Sequence, residues 1–243
     1  MVSDSPDVLT RKKSTSALFR RRPSETAVTL MFPYRTVLFD VDGTLIDSNG
    51  AHAAAWAQAL NEHGIQVSVG EIRPLIGMGG DKLLPAVAHV EESSSRGETL
   101  TKRKKELFKG ALPGLRPTRG ARSLLECLRE REIDLVVATS AGTREMHALL
   151  EQGGLADLFS AHTSKDDAAE SKPDPDILLA ALARCKAQVA STVMIGDTPY
   201  DIEAADRAGI AAIALRCGGY WSDADLRGAI AIYDDPAALL AAI

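Results

Sequence analysis

Residues 37–48 read VLFDVDGTLIDS. With Thr36 before them, Val37 to Phe39 form a short apolar run rich in β-branched and aromatic character, the pattern of a strand buried on both faces. The run ends on a carboxylate, Asp40, and a second follows two positions later, Asp42, directly before Gly43 and Thr44. Side chains at i and i+2 of an extended segment share a face, so both carboxylates can point to one site just beyond the strand's carboxyl end. That edge is where ligands bind in open parallel sheets.

Outward from this stretch, apolar runs alternate with helical patterns, the signature of repeated βα units and a parallel sheet. The spacing predicts strands over Thr36–Asp40, Ile133–Thr139, Leu158–Thr163, Thr192–Gly196, Ile210–Leu215 and Ala229–Tyr233. Apolar residues recur between them at helical spacing, as at Leu124, Leu125 and Leu128 or Ile177, Leu178, Ala181 and Leu182. Gly153 and Gly209 fall where helices should end. The interval 41–132 breaks the rhythm, because one βα crossover needs only about 30 residues. It holds an Ala-rich amphipathic helix ending at Gly64, a turn at GMGG (77–80) and a charged helix from Thr99 to Lys109. Residues 49–112 therefore read as a helical insert, and residues 34–48 plus 113–243 as the α/β core.

Composition is that of an ordinary globular chain: 243 residues, 45% hydrophobic and 25% charged, with a net charge of −5. Residues 1–35 carry seven Lys/Arg against three acids, and the remainder 21 basic residues against 30 acidic ones. A globular part that acidic argues against a nucleic-acid surface. No stretch reaches the ~18 consecutive apolar residues of a membrane span. Three widely spaced cysteines, Cys127, Cys185 and Cys217, with no CxxC, suit a reducing, cytoplasmic setting and read as packing residues. Residues 1–33, rich in Ser, Thr and Arg, read as a disordered basic leader, with a late start at Met31, an organellar transit peptide or a phosphate-seeking arm as alternatives.

Two carboxylates at close range repel, and keeping both ionised takes a cation or a shared proton. Asp197, in MIGDTPYD, follows another predicted strand, and Asp201 lies one helical turn later. Carboxylate oxygens and waters are the ligand set of Mg²⁺. Taken alone, Asp40 reads equally well as a turn former and Asp197 as a helix N-cap. Ser140 ends the strand that begins at Ile133, beside a helix N-terminus that favours an anion. Lys172, in SKPDPD, stands in a rigid turn before a helix whose expected N-cap is Asp174. Singly, Ser140 reads as a cap and Lys172 as a surface residue.

In order, DVDGT (40–44), ATS (138–140), SKPDP (171–175) and GDTPYD (196–201) resemble the four motifs of the haloacid dehalogenase superfamily of phosphatases and phosphomutases. The resemblance covers about residues 35–235. It implies a Rossmannoid doubly wound parallel sheet of strand order 5-4-1-2-3, and an inserted α-helical cap domain over 49–112. It implies Asp40 as the nucleophile that becomes an aspartyl-phosphate, and Asp42 as the acid for the leaving oxygen and then the base for water. It further implies Mg²⁺ held by Asp40, the Asp42 main-chain carbonyl and Asp197. Ser140 and Lys172 would grip the phosphoryl oxygens, and Asp201 would orient the metal shell or Lys172. The expected partner is a small phosphorylated metabolite, with no nucleic acid or membrane, the chain acting as monomer or homodimer.

The founding dehalogenases lack an acid at the position of Asp42, because halide needs no proton, so phosphate esters are favoured. His52 and Trp56 resemble the start of the β-phosphoglucomutase cap. The cap loop IGMGGDK does not, since Gly80 stands where that mutase has an arginine, and Lys82 is the nearby candidate to replace it. The loop, with Gly77, is closer to phosphoglycolate-type phosphatases, so hydrolysis leads over a mutase. Lys102 to Lys105 read as a solvated helix face, with an anion funnel as the alternative.

Overall fold

The computed structural model describes residues 32–243, so the readings of residues 1–31 lie outside the described residues. In chain order the elements are β1 (Thr36–Phe39), α1 (Asn49–Glu62), α2 (Val69–Ile72), α3 (Gly80–Ala88), α4 (Ser95–Ala111), α5 (Ala121–Glu130) and β2 (Asp134–Ala138). They continue with α6 (Thr143–Gln152), β3 (Ala161–Thr163), α7 (Asp176–Cys185), β4 (Thr192–Gly196), α8 (Pro199–Arg207), β5 (Ala211–Leu215), β6 (Ala231–Tyr233) and α9 (Pro236–Ala242). The six strands form one parallel sheet in the order β3-β2-β1-β4-β5-β6. Read from the other edge this is 5-4-1-2-3 with β6 added outside β5.

Alternation along the central strands divides the core into two layers. Val37 and Phe39 of β1, with Val193 and Ile195 of β4, join α5, α6 and α9 on one face. Leu38 and Met194 join α7 and α8 on the other. All four β1 residues are buried, which is why the run carries no polar alternation.

Helices α1 to α4 fall between β1 and β2 and have an apolar cluster of their own, including Trp56, Leu60, Ile72, Leu84 and Leu100. Ala55 and Phe108 leave from other sides of α1 and α4 and join the core cluster, fastening the insert to the sheet layer.

Several expectations need correction. Leu158 belongs to a 3₁₀ turn and only Ala161–Thr163 pair as a strand, because Leu155 and Leu158 bury their side chains from a turn. Residues 80–88 form a helix absent from the sequence reading; Gly79, Gly80 and Pro85 mask a pattern that burial of Leu83 and Leu84 overrides. The charged helix starts at Ser95, four residues earlier than predicted, with the Ser94 side chain accepting from Gly97 N at 3.1 Å. Pro175, not Asp174, is the N-cap of α7. The Asp174 carboxylate is drawn instead to Lys82 at 2.9 Å and Arg207 at 2.8 Å.

Candidate active site

Strand β1 lies between β2 and β4 in register, with Phe39 opposite Val137 and Ile195. Residues just past the carboxyl ends of these strands must therefore meet. Asp40 follows β1, Ser140 lies two positions past the end of β2, and Asp197 follows β4. Lys172 arrives from the β3–α7 connection and is fully buried, its Nζ 2.6 Å from Asp40 Oδ1 and 2.7 Å from Asp201 Oδ1.

One carboxylate oxygen each from Asp40, Asp197 and Asp201 lies within 4.8 Å of the others. Three buried carboxylates against a single ammonium leave an excess of negative charge. Burial is the largest cause holding Asp40 well above the usual carboxylate range; Lys172 opposes it, and Asp201, Asp197 and Asp42 reinforce it. Burial, with Asp201 adding, pushes Asp197 up to about 7, although Asn49 and Thr44 act to lower it. Asn49 Nδ2 donates to Asp197 Oδ2 at 2.8 Å and Thr44 Oγ1 to Asp197 Oδ1 at 3.0 Å. Asp201 also closes the first turn of α8, accepting from Thr198 N at 3.1 Å and Thr198 Oγ1 at 2.7 Å. All-oxygen carboxylate donors with unbalanced charge fit a hard divalent cation.

The Asp42 carboxylate lies outside that group of three but lines the same cavity as Asp40. Ser48 Oγ donates to its Oδ1 at 2.5 Å, and His52 Nε2 lies 2.7 Å from the same oxygen. Burial would raise the Asp42 carboxyl, but His52 and Ser48 outweigh it and the net direction is down. His52 is fixed by stacking on Phe108, ring centroids 3.8 Å apart and planes 13° apart. Gly43 follows Asp42 at φ +79°, and a Cβ there would stand 2.4 Å from Asp197 Oδ2. Only glycine lets this turn pass the acid.

A cavity of about 80 Å³ opens at Asp40 and Asp42, lined also by His52, Gly77, Ser140 and Lys104 among others, with Lys172, Asp197 and Asp201 behind its lining. Ser140 Oγ is buried with no hydrogen-bond partner among the described residues. A hydroxyl left so, in the same cavity as Asp40, is a donor awaiting an acceptor. Gly77, at φ +112°, brings the insert's loop against the core, since a Cβ there would meet Thr198 Cγ2 at 2.8 Å. The same loop is tied down by Gly79 N to Ser171 Oγ at 3.0 Å and by Tyr200 Oη to Pro74 O at 2.6 Å.

Lys82 is not among the residues lining the cavity; it pairs with Glu170 and Asp174. Lys104 does line it, against the reading of Lys102 to Lys105 as a solvated face. It is 6% exposed and its Nζ lies 3.0 Å from Glu145 Oε2. A signal for this existed: Leu100, Lys104 and Phe108 recur every four residues, which puts the lysine on the helix's apolar stripe. Asn49 carried no such signal, because its role depends on a carboxylate 148 positions away.

Acids and a buried lysine at the carboxyl edge of a parallel sheet, under helices inserted after the first strand, define an α/β enzyme with its chemistry at that edge. A family model described as haloacid dehalogenase-like hydrolase matches residues 37–215, and the chain belongs to that family. A phosphoglycolate phosphatase of Rhodospirillum rubrum is 29% identical, over 84% of this chain and 89% of the relative. The pyrophosphatase PpaX of Oceanobacillus iheyensis is 29% identical, over 74% of this chain and 83% of the relative. The crystal structure of a hydrolase from Pseudomonas syringae superimposes with a TM-score of 0.79 at 31% identity, covering 85% of this chain and 96% of that one. No helix among the described residues is long and apolar enough to cross a membrane.

Proposed function

We propose that the protein is a Mg²⁺-dependent phosphatase that hydrolyses small phosphorylated metabolites through an aspartyl-phosphate on Asp40. The observation that carries this reading is one cavity holding Asp40, the Asp42–His52 pair and the unpartnered Ser140 hydroxyl, with Lys172 bound to Asp40 behind it. Residues 49–112 act as a cap over that cavity. The names of the two relatives, a phosphoglycolate phosphatase and a pyrophosphatase, point the same way.

Asp40, Asp197 and the Asp42 main-chain carbonyl would hold Mg²⁺, with Asp201 beside them. When bound, the cation neutralises phosphoryl charge and lets the buried carboxylates ionise. Lys172 holds Asp40 Oδ1, which leaves Oδ2 to attack phosphorus. Ser140 Oγ and Lys172 Nζ donate to phosphoryl oxygens, the positioning and charge neutralisation on which phosphoryl transfer depends. As the Asp40–phosphorus bond forms, the ester bond breaks and a proton passes from the Asp42 carboxyl to the leaving oxygen. Asp42 rests on the ionised side, so it must first take up that proton; a protonated His52 at 2.7 Å would supply it and regain it when Asp42 passes on the proton taken from water. In the second half Asp42 accepts a proton from water, whose oxygen displaces Asp40 and releases phosphate.

The test is phosphate release from a panel of small phosphate monoesters with Mg²⁺ and with EDTA. Turnover is expected only with the metal, and equal turnover in EDTA would refute the metal dependence. A mutase would need a second phosphate site, for which Gly80 offers no side chain, and Lys82 is engaged by Glu170 and Asp174. Lys82→Ala is accordingly expected to change kcat/KM less than about threefold and stability by no more than about 1 kcal/mol; a larger kinetic loss would return Lys82 to the site.

Metal removal should also read out in stability. With its folded pKa raised to about 7 from an unfolded value near 4, Asp197 keeps a proton in the metal-free fold that the unfolded chain releases. Stability of the metal-free protein therefore falls as pH rises through that window. A cation replaces the proton, so Mg²⁺ at about 100 times its Kd should stabilise by about 2.7 kcal/mol at pH 8 and far less at pH 5. Thermal unfolding at the two pH values checks this, and equal shifts would contradict it.

A further inference from the structure

Two cavities meet at the mouth of the site. The one over Asp40 is small, about 80 Å³. Beside it, between α4 and α6, lies a cleft of about 590 Å³, lined by Phe108, Leu112 and Ala148 and edged by Lys102, Lys109 and Arg144. Lys105, Gly142 and Glu145 line both. The two spaces are thus adjacent, and Glu145 stands between them.

Glu145 is held there by Lys104, whose Nζ reaches Oε1 at 3.1 Å and Oε2 at 3.0 Å. Both side chains are largely buried, at 8% and 14% exposure. The ammonium also lies over two rings, 4.9 Å from the centroid of Phe108 and 5.8 Å from that of Trp56. Lys104 therefore keeps its place by contacts that do not involve Glu145. Among the described residues Lys104 is the side chain that bonds the Glu145 carboxylate, and its position depends on this pair.

We propose that the Lys104–Glu145 ion pair is a specificity-determining partition, which confines the leaving group to the small polar cavity and bars it from the apolar cleft between α4 and α6. The inference rests on the phosphatase reading and narrows it: the substrates are compact, polar phosphate monoesters, and aryl or long-chain esters are rejected at this wall. A carboxylate facing an apolar leaving group would have to be buried without water, which adds an electrostatic barrier to the steric one.

The experiment compares kcat/KM for glycerol phosphate and 1-naphthyl phosphate in the parent, Glu145→Ala and the double variant Glu145→Ala/Ala148→Trp. The parent should favour glycerol phosphate. Glu145→Ala should move the ratio toward the naphthyl ester by about tenfold or more, the scale on which one pocket contact discriminates. Ala148→Trp, which refills the cleft, should reverse that gain. A ratio unmoved in Glu145→Ala, a gain not reversed by Ala148→Trp, or a parent indifferent to the two esters would each overturn the partition. Should Glu145→Ala not fold, Lys104→Met breaks the same pair from the other helix, and an unshifted ratio there is equally fatal. If the parent hydrolyses neither these esters nor any other, the phosphatase reading fails and takes this inference with it. Unchanged selectivity with turnover intact removes the partition alone.

Discussion

Asp40→Asn is expected to lower kcat by about 10⁴-fold or more while leaving the metal-free fold at least as stable as the parent. The amide has nearly the shape of the carboxylate but no charge to bring to phosphorus. Its oxygen can still accept from Lys172, which sits 2.6 Å from Asp40 Oδ1. Stability should hold or rise because burial, ahead of every other influence, keeps the Asp40 carboxyl well above the usual carboxylate range. A carboxyl raised in this way costs the fold stability at neutral pH, since the unfolded chain ionises freely above about pH 4. The neutral amide avoids that cost. With Mg²⁺ present the order should reverse, the parent gaining more than the variant. Phosphate release and thermal unfolding, each with and without the metal, check both halves. Turnover above about 1% of the parent would remove Asp40 from the role of nucleophile.

Lys172→Met should be the most damaging single change to the fold near the site. Methionine matches the length of the lysine stem, but it leaves Asp40 and Asp201, each bound to Nζ within 2.7 Å, as buried acids without a counter-charge. Removing one partner of a buried ion pair costs about 3–5 kcal/mol. Burial alone would depress the lysine, yet the two carboxylates outweigh it and hold it above its ordinary value, so the ammonium persists at any working pH. Without it the acids take up protons in the fold, and the deficit should shrink as pH falls from 8 to 5. Activity should fall by about 10²–10³ or more through loss of a donor to the phosphoryl group. Urea unfolding in EDTA at the two pH values tests this. Adding Asp201→Asn to Lys172→Met should recover part of the stability and none of the activity. A deficit independent of pH would mean that packing, not charge, sets the role of Lys172.

What could be read from the chain followed local rules. The predicted strand Thr36–Asp40 read as buried on both sides, because the consecutive apolar residues Val37, Leu38 and Phe39 offer no polar face. The alternation of such runs with helical spacing made a parallel sheet the economical arrangement, and the length of interval 41–132 marked an insert. Acids and hydroxyls placed just after predicted strands were legible as groups at one sheet edge, because strand register brings such ends together. Apart from Lys104, whose place on an apolar stripe the spacing did carry, the misreadings fell where local pattern is silent. Asp174 has the composition and position of a cap, yet two cations, Lys82 and Arg207, take its carboxylate. Helix α3 was hidden by Gly79, Gly80 and Pro85, and it exists because Leu83 and Leu84 find an apolar cluster to enter.

The sequence by itself determined the sheet, the insertion point of the helices and which residues reach the carboxyl edge, since periodicity and strand ends are properties of neighbours along the chain. Tertiary structure alone decided that Glu145 is the partner of Lys104, that the Asp42 carboxylate bonds to His52, and that Asn49 serves Asp197. Each depends on which distant charge or ring packs against the group. The free energy of a buried charge is set by those partners, and no spacing within a segment encodes them.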